Sequence, residues 1–174
     1  LNIYASYYGG TSVTSTSYDV GGLVGLSSGA LNVVNAYVEK SGGSVAVQGT
    51  YNVGGIVGNA SSTFSLTSNA DSATYGTQLS PYSKANVTGT TAIVNTGYVN
   101  VGGLAGYVAG TSTITGANVS VGTITGAGHS VGGFVGNQAG TATISDSSVS
   151  SSIVSTGSNV GGLIGSGNTV TLTN

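Results

Sequence analysis

The phrase VGGLVG occupies residues 20–25, and close variants return as VGGIVG from Val53, VGGLAG from Val101, VGGFVG from Val131 and VGGLIG from Val160. Aligned on the first glycine of each pair (Gly21, Gly54, Gly102, Gly132, Gly161), the phrases are separated by 33, 48, 30 and 29 residues. Each pair is preceded by valine, and before that valine stand Asp19, Asn52, Asn100, Ser130 and Asn159. The residue after each pair is Leu23, Ile56, Leu104, Phe134 or Leu163, and every phrase closes on glycine. A fixed period of this kind is the signature of stacked repeats, here with a unit of about 30 residues.

Between the phrases, segments such as GTATISDSSVSSSIVSTGSNV (140–160) place β-branched residues at every second or third position, broken by Gly, Asn and Ser. No 3.6-residue stripe persists, so strands are expected and helices are not. A unit of three short strands cannot bury its apolar side alone, but successive units can if they coil and pair in parallel. The predicted fold is therefore all-β: a single-stranded parallel β-solenoid (β-helix) of about five to six coils of about 30 residues, with three short strands per coil and a rise of about 4.8 Å. Residues 1–174 read as one solenoid domain, and the 48-residue step implies an insertion at about 67–86.

In such a coil each residue stacks on its counterpart one turn away. The paired glycines (Gly21 and Gly22, Gly54 and Gly55, Gly102 and Gly103, Gly132 and Gly133, Gly161 and Gly162) read as one structural corner repeated, required by positive φ or by close backbone approach. Asp19, Asn52, Asn100, Ser130 and Asn159 would form a polar ladder just before it, with side chains bonding up and down the column. The alternative is a straight strand, in which alternation would turn Val20 and Val24 inward and Leu23 outward.

Charged residues are only 3% of the chain, against 39% hydrophobic. About 25% charge is usual in soluble domains, so Ser, Thr, Asn and backbone must supply the polar surface. With no Arg and a net charge of −2, the footprint for nucleic acid is missing. Cys, Met and Trp are absent, a composition that favours an extracellular or cell-surface setting, and no apolar run is long enough to cross a membrane as a helix.

The phrase V-G-G-[LIF]-[VA]-G, followed by N-x-x-G-T-x-[IT] and a Ser/Asn-rich return to S-N-V-G-G, resembles the GLUG-motif repeat of large bacterial secreted and surface proteins, adhesin-like and IgA-protease-like polypeptides among them. Residues 131–165 carry the fullest instance. The resemblance implies a repeat used as architecture, on the bacterial exterior, with no catalytic residue to transfer. VGGLAGY at 101–107 and the 48-residue step depart from the pattern.

No catalytic constellation, metal site or cofactor is expected. Asp19, Glu39, Asp71 and Asp146 fall in different columns, and the lone His129 shares a column with Tyr18 and Tyr51, where a surface corner residue is the plain reading. Calcium solenoids need a repeated aspartate that these phrases lack. Candidate ligand-binding residues are Tyr18 and Tyr51, stacked in one column, and Tyr75, Gln78, Tyr82 and Lys84 in the insertion, which also holds the sole proline. Tyr7 and Tyr37 form a second tyrosine column, and simple ladder stabilisation is the alternative role for both columns. A threonine array (Thr63 and Ser65, Thr111 and Thr113, Thr141 and Thr143, Thr169 and Thr171) resembles an ice-binding face, although Thr is also simply a good strand former. The chain starts and stops midway through a coil, which marks Leu1, Ile3, Val170 and Leu172 as a candidate end-to-end interface with another copy or with further repeats.

The function expected is that of a non-enzymatic structural β-solenoid of a bacterial surface or extracellular-matrix fibre, acting in extension, self-association or adhesion. A glycan-binding or host-surface adhesin module is the first alternative and an ice-binding protein the second.

Overall fold

The computed structural model describes residues 1–4, 6–16, 18–38, 45–67, 82–83, 85–89, 100–127 and 129–173, with only the backbone of 37, 82–83 and 85–89. The chain winds into a parallel β-solenoid, and every strand pairing among the described residues is parallel. Each coil contributes five pairing segments rather than three. In one coil these are Asn100–Gly102, Ala105–Val108, Ser112–Thr115, Asn118–Val119 and Thr123–Gly126. The extra segments are two or three residues long, too short to register as separate hydrophobic runs. From first to last strand of each five-stranded sheet the chain makes about four turns, with part of a coil beyond at either end, so the coil count is slightly below five to six.

The interior is a stack of apolar columns. Val53, Val101 and Val131 lie one above another, as do Val33, Leu66, Ile114 and Ile144, all buried. Facing columns trade volume: Phe134 shares its coil with Ala142, and Leu104 with Ser112. Such compensation keeps the interior filled without strain. Ser112 is buried and donates its hydroxyl proton to Gln138 Oε1 at 2.7 Å, while Gln138 Nε2 donates to the Gly110 carbonyl at 2.6 Å. Polar groups so placed cost little because they are bonded.

The glycine phrase bends. Strands end at Gly21, Gly54, Gly102, Gly132 and Gly161 and resume after two intervening residues, the second of which is interior: Ile56, Leu104 and Phe134 are buried, Leu23 and Leu163 partly so. The straight-strand alternative is thereby excluded. Of the two reasons offered for glycine, close approach holds at the first glycine of every pair and at Gly22, Gly103 and Gly133, whereas a Cβ on Gly162 would meet nothing within 4 Å. Positive φ occurs among the described residues only at Asn35, Asp146 and Gly116, none of them in the phrase.

The bend folds its own carbonyl back onto the glycine, and a shared carbonyl of the next coil closes the approach from above. Leu104 O accepts hydrogen bonds from both Ile56 N and Val57 N at 2.9 Å, and Phe134 O accepts likewise from Leu104 N and Ala105 N at 2.9 Å. Both donors of the bend are satisfied by one acceptor from the next coil, which draws that carbonyl over the glycine. A Cβ on Gly54 would collide first with Val57 O of its own bend and then stand 2.7 Å from Leu104 O, and one on Gly102 would collide first with Ala105 O and then stand 2.7 Å from Phe134 O. The closing glycine seals the other side, since a Cβ on Gly106 would lie 2.7 Å from Gly58 O. Backbone packs on backbone through this arch, and no side chain fits.

A second corner went unread in the sequence. Asn35, Gly116 and Asp146, each fourteen residues after the first glycine of its phrase, take left-handed φ of 49°, 64° and 49°. These are the residue types that tolerate this region.

The insertion expected at about 67–86 falls mainly on 68–81, outside the described residues. Its far end belongs to the coil: Tyr82–Ser83 pairs with Asn118–Val119, and Ala85–Gly89 pairs with Val45–Gly49.

Candidate functional site

Beside the glycine arch the polar ladder stands in register, Asp19 on Asn52, Asn100, Ser130 and Asn159. Asn52 Nδ2 donates to Asp19 Oδ1 at 2.7 Å, and Asn100 Nδ2 donates to Asn52 Oδ1 at 2.8 Å. The chain of bonds then stops. Asn100 Oδ1 is buried with no partner among the described residues, and the next rung is the shorter Ser130.

Across the arch runs a second column, Leu26, Asn59, Tyr107, Asn137 and Ser166, also in register. Between the two columns lies a cleft of about 320 Å³ lined by Tyr51, Asn52, Asn59, Asn100, Tyr107 and Asn137. The bend builds it: alternation turns Val53 and Val101 inward and their neighbours Asn52 and Asn100 outward, and the tight arch brings the outward side chains of the two arms face to face. Its floor is buried and its walls are half-buried. One end is anchored by Asp19, whose two carboxylate oxygens accept from Asn52 and from Asn59 Nδ2, the latter at 3.4 Å.

Of the candidate ligand residues, Tyr51 reaches this cleft. Tyr18 meets it edge to face, the ring centroids 5.4 Å apart at 61°, which is the geometry of a stabilising aromatic pair. Tyr75, Gln78 and Lys84 lie outside the described residues, and Tyr82 is described by its backbone alone. Tyr107, Asn59 and Asn137 were missed, although each lies five residues after a first glycine and could have been read as a column. His129 is an exposed corner residue whose carbonyl accepts from Asn159 N at 2.8 Å.

The threonine array is a real surface. Ser65, Thr113, Thr143 and Thr171 stack in register, and a shift between Gln138 and Thr141 sets Thr141 beside Thr169. A third column, Thr67, Thr115, Ser145 and Thr173, widens it, and Thr115 Oγ1 and Ser145 Oγ bond at 3.0 Å. At the two ends Leu1 and Leu172 are well exposed, Val170 less so, and Ile3 is half-buried under Val33.

Fold and site together define a parallel β-solenoid with a polar groove beside a glycine arch. The family model of the GLUG motif matches residues 127–154, about one coil from the corner strand Ser130–Gly132 to the strand Ser152–Ser155. That match agrees with a chain built of GLUG repeats. No curated protein and no solved structure matches the chain.

Proposed function

We propose that the protein is a non-enzymatic structural β-solenoid of a bacterial surface or extracellular fibre, working in extension, self-association or adhesion. One observation carries the reading: the repeated phrase is used up in architecture, its glycines closing the arch and its carbonyls each holding two donors of the neighbouring coil. The described acids have structural duties as well, Asp19 anchoring the ladder and Asp146 forming a left-handed corner. Self-association is supported by the strand Ile164–Thr173, which pairs on one side with Val135–Ser145 and exposes Val170 and Leu172. An open apolar edge of this kind is a template for another strand, from a second copy or from further coils. Contact of that type runs head to tail and yields rods rather than closed dimers.

Sedimentation velocity across concentration, with negative-stain microscopy, tests this for the wild type and for the double variant V170K/L172K. Growing rods in the wild type and none in the variant are expected. A wild type that remains monomeric at every concentration removes self-association. Immunogold labelling of producing cells is expected to mark the outer surface, and cytoplasmic labelling refutes the surface role.

A second reading, ice binding, is favoured by two in-register hydroxyl columns on one sheet, with Thr141 and Thr169 paired beside them. Thermal hysteresis that disappears in Thr113→Lys would support it, and its absence in the wild type would exclude it.

A further inference from the structure

The asparagine ladder ends in the cleft on an acceptor that nothing satisfies. Asn100 is 4% exposed, its Nδ2 is committed to Asn52, and its Oδ1 has no partner among the described residues. A buried carbonyl oxygen left in this state costs about 1–3 kcal/mol, so a donor brought to it from outside gains correspondingly. The Asn137 side chain forms no hydrogen bond with the described residues, and its half-buried amide offers both a donor and an acceptor at the same cleft. Tyr51 and Tyr107 add phenol rings with flat apolar faces and polar tips.

We propose that the cleft between the Asn52–Asn100 and Asn59–Tyr107–Asn137 columns binds a neutral glycan, one sugar ring seated with a hydroxyl donating to Asn100 Oδ1 and others bonded to the Asn137 amide. Four amides and two phenols line the cleft, and the one charge beside it, Asp19 at its end, is held by two of those amides, which favours an uncharged hydroxyl-rich ligand over phosphate or sulfate. Its volume of about 320 Å³ matches a small ligand and stands at the low end of the roughly 300–1,000 Å³ of known ligand pockets. A pyranose has the required combination of ring hydroxyls and an apolar C–H face for tyrosine. The columns continue along the coil axis, so neighbouring units of an oligosaccharide can follow the groove. This inference goes beyond the structural role and does not depend on rod formation.

Isothermal titration calorimetry of the full chain with cellohexaose, mannohexaose and chitohexaose tests it. One of the three is expected to give saturable binding that Asn137→Ala and Tyr107→Ala each weaken about tenfold, or about 1.4 kcal/mol. Thr113→Val, on a separate sheet face, is expected to leave binding unchanged. Heteronuclear NMR of the wild type should show the side-chain amide signals of Asn100 and Asn137 moving during the same titration, a readout that needs no variant to fold. Four results overturn the proposal: no saturable binding of any of the three sugars, undiminished affinity in both cleft variants, amide signals that stay fixed, or saturable calcium chloride binding at the cleft in place of sugar. None of these touches the sedimentation result, so the structural reading stands or falls separately.

Discussion

Gly102 and Gly116 lie fourteen residues apart in one coil and answer opposite demands. At Gly102 φ is ordinary and space is absent, because the Ala105 carbonyl of its own bend occupies the place a Cβ would take and the Phe134 carbonyl, held by two N–H donors, closes over it. At Gly116 the backbone is left-handed, and its equivalents Asn35 and Asp146 carry side chains in the same conformation. The first corner is therefore limited to one residue type and the second to a small class. Glycine in a repeat does not by itself say which, and the tolerated substitutions do.

The sharpest way to break this comparison is to add one methyl group at the arch. Gly102→Ala must displace the Ala105 carbonyl of the bend and the Phe134 carbonyl above it, disturbing the two hydrogen bonds of the latter, so a loss of roughly 3–5 kcal/mol is expected. In a chain of this length that lowers the melting temperature by about 6–15 °C, readable by circular dichroism. Gly102→Asn should be no milder. A melting temperature within a degree of wild type would show that the arch can open and that close approach is not its reason for glycine.

The ladder beside the arch should come next. Asn52→Ala removes the bonds to Asp19 and from Asn100, and leaves Asn100 Nδ2 unsatisfied beside its already unpaired Oδ1, for an expected loss of about 2 kcal/mol in urea unfolding. Asn159→Ala, at an exposed rung, is expected to stay within about 0.5 kcal/mol. Equal effects at the two rungs would mean that the ladder contributes through strand propensity rather than through its amide bonds.

The left-handed corner should respond in the reverse order of residue types. Gly116→Ala is expected to cost about 1 kcal/mol and Gly116→Asn less, because Asn bonds locally in this region. Smallest of all, Asp146→Gly should change stability by a few tenths of a kcal/mol, since it only relieves φ at an exposed site. If Asn at 116 proves worse than Ala there, the distinction between the two corners fails.

Much of the architecture was legible because stacking forces repetition. A parallel coil places Val53 on Val101 on Val131, so whatever the geometry requires at one level it requires at every level, and the columns appear as aligned letters. The polar ladder was legible for the same reason. The corner at Asn35, Gly116 and Asp146 was not, since its requirement is conformational and three different residues meet it. Strand number per coil was obscured by segments of two or three residues, too short for period-two alternation to appear.

The cleft shows where sequence stops. Asn52, Asn100 and Tyr51 could be placed in columns from their spacing, and so could Asn59, Tyr107 and Asn137. That the two sets face each other depends on the tightness of the arch, and that tightness comes from a carbonyl of the next coil accepting two donors at once. The unsatisfied Asn100 Oδ1 is likewise a product of stacking, since it arises where an amide rung is followed by the shorter Ser130. The sequence by itself determined the period, the parallel coil, the interior columns and the glycine corner, because each is a demand repeated at every turn. Only the tertiary structure decided why the corner excludes a Cβ and which polar columns meet, because both follow from the path of the bend and from contacts between coils, which spacing along one chain does not measure.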